Sequence, residues 1–236
     1  MKNLFRYVLA ALVITFAFGI TASSARAQGG PETVRLLYQK MDANFKSLTS
    51  LKTGIRLEKW NSQLKDYDDR REGTALVVPI KNTRNANFRL DWAKPAEETL
   101  SVVNGKYRLY QPRLQQVIEG SSKDYKGGGG SSGNIFSLIN SSAKDLKENF
   151  DAKPLGTEVV ANVHSTYKLL LTPKKPMNFD HAEVWVNEEG MVVQIRVYEK
   201  NSDWTNVLLF DIQKNASISG KDIAGNIPKN IKIIKG

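Results

Sequence analysis

Apolar residues recur along this chain with two periods, and the switch between them separates helix from strand. Val34, Leu37, Tyr38, Met41, Phe45 and Leu48 follow Pro31 at steps of three and four. That spacing predicts one amphipathic helix with proline tolerated in its first turn, its stripe packed on a sheet. From Leu51 the step becomes two: Ile55 and Leu57, then Thr74, Leu76 and Val78, then Phe88, Leu90 and Trp92 each fall on one face of a predicted strand. Residues 99–103 continue the series, Asn104-Gly105 supplies a two-residue hairpin signal, and 107–110 returns. A further short hairpin arm is expected over 114–119.

Residues 120–133 (GSSKDYKGGGGSSG) carry too few apolar groups to bury anything and predict a flexible connection with the character of a lid or hinge. Ile135, Phe136, Leu138, Ile139, Ala143 and Leu146 then predict a short helix. Alternation resumes over 157–160, 164–172, 182–187, 191–199 and 207–213, with a hairpin loop at Asn187-Glu188-Glu189-Gly190. Pro173 and Pro176 bracket a stretch that cannot continue a central strand, because proline donates no ladder hydrogen bond. The expectation is a mainly β chain with helices (α+β): about ten or eleven antiparallel strands and two helices.

Ahead of these elements, Lys2 and Arg6 precede an apolar run over residues 8–20, and Ala25-Arg26-Ala27 follows it. This predicts a signal peptide, residues 1–27, removed at an A-x-A site to leave a chain starting at Gln28. The run is shorter than the roughly 18 residues of a spanning helix. Residues 28–236 are expected to form a single secreted domain in the periplasm. The sequence has no cysteine, so the core must hold by packing, and neither a lipid-anchored N-terminal Cys nor thiol chemistry is available.

Removing Lys2, Arg6 and Arg26 lowers the formal charge from +10 to +7, a moderate and scattered surplus. It suits an acidic partner or an anionic membrane surface better than nucleic acid, which calls for a basic stripe interleaved with aromatics. Two catalytic-looking strings arise from glycine composition. Gly129-Gly130-Ser131-Ser132-Gly133 matches G-x-S-x-G, but Lys123, Asp124, Tyr125 and Lys126 precede it where a nucleophile elbow needs a buried strand. Residues 128–133 match G-x-G-x-x-G, but the hairpin signals imply antiparallel strands rather than a βαβ unit. His164 and His181 are the only histidines and show no metal-ligand spacing. Asp66, Asp68, Asp69 and Glu72 are neutralised by Lys65, Arg70 and Arg71, which reads as a solvated hairpin loop. No cofactor, metal or catalytic group is expected, and the protein is read as non-enzymatic.

The run from Arg84 to Glu119 resembles the periplasmic outer-membrane lipoprotein carrier (LolA) family. The likeness rests on Arg84-Asn85-Ala86-Asn87-Phe88-Arg89-Leu90-Asp91-Trp92, then Lys94-Pro95, Val103-Asn104-Gly105-Lys106, Leu109-Tyr110-Gln111-Pro112 and Leu114-Gln115-Gln116-Val117. Leu171-Thr172-Pro173-Lys174, the Gly190 hairpin and Pro228 extend it over most of the chain. The resemblance implies an incomplete antiparallel β-barrel of about 11 strands, with a helical lid over an apolar cavity. On that reading Leu76, Val78, Phe88, Leu90, Trp92, Leu100 and Val102 line a lipid-binding cavity. Arg84, Ile135, Phe136, Leu138 and Ile139 form the lid, and Gly127, Gly128, Gly129 and Gly130 its hinge. Arg84 matches the arginine that holds the family's lid shut.

The implied role is a monomeric shuttle that carries the acyl chains of lipoproteins, or another lipid, from an inner-membrane release complex to an outer-membrane acceptor. The physics suits such a carrier. An acyl chain leaves an apolar phase at a cost of ~0.8 kcal/mol per CH₂, or roughly 12 kcal/mol for sixteen carbons, so unaided crossing of water is slow. A glycolipid carrier and an envelope sensor of mislocalised lipoproteins are the alternatives on the same sheet. The sensor class carries a second C-terminal domain, whereas this chain is expected to end soon after its last strand.

Overall fold

The structure, a computed structural model, describes residues 30–81, 83, 85–122, 143–161, 164–228 and 230–236. Helix α1 (Pro31–Ser47) opens with proline at its start and Glu32 in its first turn, and ends with Lys46 in its last, charges that suit the helix dipole. It buries Leu37, Tyr38 and Met41, with Val34 and Leu48 packed alongside, so five of the six predicted stripe residues are packed and Phe45 is exposed.

Strands β1 (Leu51–Asn61), β2 (Asp66–Pro79), β3 (Ala86–Lys94), β4 (Glu98–Val103), β5 (Lys106–Gln111) and β6 (Gln116–Ser121) form one antiparallel meander. After the short helix α2 (Ala143–Asn149), strands β7 (Phe150–Val160), β8 (His164–Pro173), β9 (His181–Asn187), β10 (Val192–Tyr198) and β11 (Trp204–Lys214) form a second. Pairing of β1 with β11 joins the two meanders. Helix α3 (Gly220–Ala224) and strand β12 (Lys232–Lys235) complete the chain, and β12 lies parallel to β6. The result is one twelve-stranded sheet, ordered β12-β6-β5-β4-β3-β2-β1-β11-β10-β9-β8-β7, which does not close into a barrel. Among the described residues no helix is long and apolar enough to cross a membrane.

Four sequence expectations change. The acidic run from Asp66 to Glu72 is not a loop: it is the first half of β2, paired with β1. Its charges tolerate a strand because Arg56, Arg71 and Lys94 answer them with ion pairs. On the same strand, Leu51 and Thr53 pair with Val77 and Ala75, which puts those two on the core face and turns Thr74, Leu76 and Val78 to the other. The run Ala75-Leu76-Val77-Val78 is apolar in both phases, and the outer phase is apolar where α3 packs against β2, β3 and β4. The last arm of the first meander begins at Gln116 rather than Leu114, because Pro112–Leu114 forms a 3₁₀ turn ending at Gln115 in the left-handed region. A twelfth strand, four residues long and parallel, is too short to show a period.

Candidate functional site

One face of the sheet is apolar along whole hydrogen-bonded rows. Ile234, Ile118, Leu109, Leu100, Leu90 and Ala75 stand side by side across β12, β6, β5, β4, β3 and β2. Leu57, Val207, Ile195, Val184 and Leu169 do the same across β1, β11, β10, β9 and β8. A third row runs Val77, Phe88, Val102 and Tyr107. Strand alternation makes such rows automatic once the register is fixed, and the register is fixed because a one-residue slip would expose all of them. This inner face, with α1 and α2 against it, forms a single apolar cluster.

The face is not filled uniformly. Leu90, Leu100 and Val102 are buried, whereas Val77, Phe88, Leu109 and Ile118 remain half-buried although they stand in the same rows. Between α1 and the strands lies a small cavity of about 70 Å³, lined by Met41, Phe45, Leu48, Leu51, Val77 and Met191 among others. A larger depression of about 330 Å³ sits on the outer face over Gly54 and Thr74, between Phe210 and the lysines Lys52 and Lys94.

Beyond Trp92 the inner face turns polar. Arg71 binds Asp69 at 2.9 Å and Glu98 at 3.1 Å. Gln111 donates to Glu98 at 2.7 Å, and Gln116 to Gln111 at 2.8 Å. Arg71 pairs with Leu57 and Glu98 with Trp92, so the belt shares the apolar face and bounds it at one end. Its signal is hidden in the sequence, where the inward phase of β2 reads as a charged turn.

Tyr38 is the polar exception beneath α1. Its side chain is 4% exposed and its hydroxyl, buried, finds no hydrogen-bond partner among the described residues. Burial pushes the phenol up to about 12. The ammonium of Lys147, an exposed residue of α2, lies 5.2 Å from its ring centroid. The helices are tied by Asp42, whose carboxylate accepts the Ala143 N–H at the start of α2.

Of the residues expected to line a cavity, Phe88, Leu90, Trp92, Leu100 and Val102 share the inner face. Leu76 and Val78 do not: they occupy the outer face, in register with Arg89 and Asn87. Arg84, Ile135, Phe136, Leu138 and Ile139, with Gly127, Gly128, Gly129 and Gly130, lie outside the described residues, as does the signal segment. Sequence reasoning passes over the buried hydroxyl of Tyr38, since a tyrosine in an apolar stripe reads as packing. Among the described residues no cluster of His, Asp or Glu could hold a metal ion.

The unclosed sheet with one apolar face backed by helices is consistent with a LolA-like open barrel, and the sequence places the chain in that family. The family model described as outer membrane lipoprotein carrier protein LolA matches residues 80–222, and the chain belongs to that family. No curated protein matches the chain by sequence. Among solved structures, MucB is similar with 10% identity over 87% of this chain and 66% of its own, TM-score 0.53. The Pseudomonas aeruginosa MucA/MucB complex is similar with 9% identity over 82% of this chain and 61% of that one, TM-score 0.52. An uncharacterized conserved protein from Thermus thermophilus has 10% identity over 86% of this chain and 99% of its own, TM-score 0.52. These likenesses show the fold; in the MucA/MucB complex the chain spans 61% of the length of the protein it matches.

Proposed function

We propose that this protein is a non-enzymatic periplasmic carrier that holds the acyl chains of lipoproteins, or of a related lipid, on the inner face of its sheet and moves them between membranes. The observation that carries the reading is the set of half-buried apolar side chains, Val77 and Phe88 in one row and Leu109 and Ile118 in another, on a face otherwise built as core. A domain core packs its apolar rows to closure, whereas an apolar face left partly uncovered marks a binding surface. Membership of the lipoprotein carrier family supports an acyl chain as the occupant.

On this reading residues 1–27 export the chain and 28–236 form the carrier domain. Arg84, the 135–139 segment and the 127–130 glycines form a cover that opens for loading. The acyl chain comes from a release complex at the inner membrane and goes to an acceptor at the outer one. The test is mass spectrometry of lipid retained by protein purified from the periplasmic fraction, followed by titration of the stripped protein with a diacylated peptide. Co-purified acylated species and about one site per chain are expected. Recovery of the protein as an uncleaved membrane species, or stripped protein that takes up no acylated probe, would overturn the carrier. A glycolipid in the spectrum would keep the binding face and change the cargo.

A further inference from the structure

We propose that the Tyr38 hydroxyl is the polar contact of the binding face and donates a hydrogen bond to the carbonyl through which an acyl chain is esterified or amidated. The inference rests on the carrier reading. It begins from an accounting problem: a buried hydroxyl without a partner is destabilising by about the worth of a hydrogen bond, and phenylalanine would fill the same space without that penalty. Tyr38 shares its face of α1 with Leu37 and Met41, so nothing in its surroundings repays the oxygen.

Its position suggests what does. One side of the ring is met by the ammonium of Lys147, a side chain exposed to solvent, while the rest of the residue is buried in the apolar cluster. Tyr38 therefore stands where water gives way to the inner face of the sheet. An amphiphile lying with its hydrocarbon on that face brings its first polar atoms to this depth. In an acyl lipid those atoms are carbonyl oxygens, which accept hydrogen bonds and, in an ester, donate none. A phenol donor is the matching group, and it discriminates carbonyl-linked chains from hydrocarbon of the same length.

Dihexadecanoylglycerol and its dihexadecyl ether test this, because the two share chain length and headgroup and differ in the carbonyls. Lipid-stripped wild-type protein and Tyr38→Phe are titrated with each. Wild type should prefer the ester by about tenfold, one hydrogen bond's worth, and Tyr38→Phe should lose that preference while binding the ether unchanged. The variant should melt no lower than wild type, since it deletes an unpartnered group. An ester preference that survives in Tyr38→Phe, an equal loss toward both lipids, or a wild type that does not discriminate would each overturn the inference and leave the carrier standing. Wild type that binds neither lipid would overturn both.

Discussion

Gly190 and the backbone of Lys40 meet so closely that a Cβ at position 190 would overlap the Lys40 carbonyl. Gly190 also has φ +85°, a conformation L side chains rarely adopt, and it closes the β9–β10 turn by donating its N–H to Asn187 O at 3.0 Å. Lys40 answers from α1 by donating to Glu188 O. The glycine thus lets the helix seat on the hairpin at all.

Gly190→Ala is expected to lower stability by about 2–4 kcal/mol, combining backbone strain with the displaced contact. α1 would be lifted from the inner face, so the variant should also bind more of an apolar dye. Urea midpoints and dye fluorescence check the two effects; an unchanged midpoint would mean that helix and hairpin are not rigidly joined.

The assignment of faces makes a second expectation. Phe88→Asp places a carboxylate among half-buried apolar side chains and should weaken uptake of an acylated probe at least tenfold, since an unpaired charge on an apolar surface is costly. Leu76→Asp, on the outer face, should leave the affinity of the folded protein within about twofold of wild type, whatever it costs in stability near α3. Leu90 is unsuited to the comparison: at 3% exposure its replacement by aspartate would unfold the sheet before testing the site. Matched losses at positions 88 and 76 would remove the inner face from binding.

Most of the sheet was legible in the sequence because alternation is a local property, and Phe88-Leu90-Trp92 declared its inward face unaided. The second strand did not. Between residues 74 and 78 both phases are apolar, and only pairing with Leu51 and Thr53, more than twenty residues away, decides that Ala75 and Val77 point inward. The polar belt of Arg71, Glu98 and Gln111 was hidden for the same reason, being assembled from three strands. Helix α3 carries a capping box formed by Ser219 and Asp222, but at five residues it is too short to show a period. The orphaned state of Tyr38 could not be read at all: a missing hydrogen bond is a property of the packed molecule.

Acid should expose a joint between two loops. Asp203 accepts the Ser62 backbone N–H at 2.7 Å and its hydroxyl at 2.9 Å, and takes a third bond from the Asn201 amide. The Ser62 N–H is the main reason its carboxyl titrates below the ordinary aspartate range. A depressed folded value means that the stabilisation is present above the unfolded pKa of ~3.9 and is lost as pH falls through the folded one. Asp203→Asn should therefore cost about 1 kcal/mol at neutral pH, moderated by partial exposure, and should flatten the stability curve below pH 4. Equal acid slopes for variant and wild type would show that the joint does not report on folding.

Alkali should expose Tyr38 in the opposite direction. Its folded value of about 12, raised by burial, lies above the ~10 of an unfolded tyrosine, so the folded chain resists ionisation. Stability from this source is whole below pH 10 and drains away as pH climbs toward 12, reaching a loss of about 2–3 kcal/mol. Lys147, the charged group against the ring, works the other way, because an ammonium favours the phenolate. The rest of the chain is common to wild type and Tyr38→Phe, so the difference between the two melting curves from pH 8 to 11.5 isolates this hydroxyl. Phenylalanine should hold its midpoint through the range in which wild type declines. Parallel curves would mean that the phenol ionises as freely in the folded protein as in the unfolded one, and so is neither buried nor without a partner in solution.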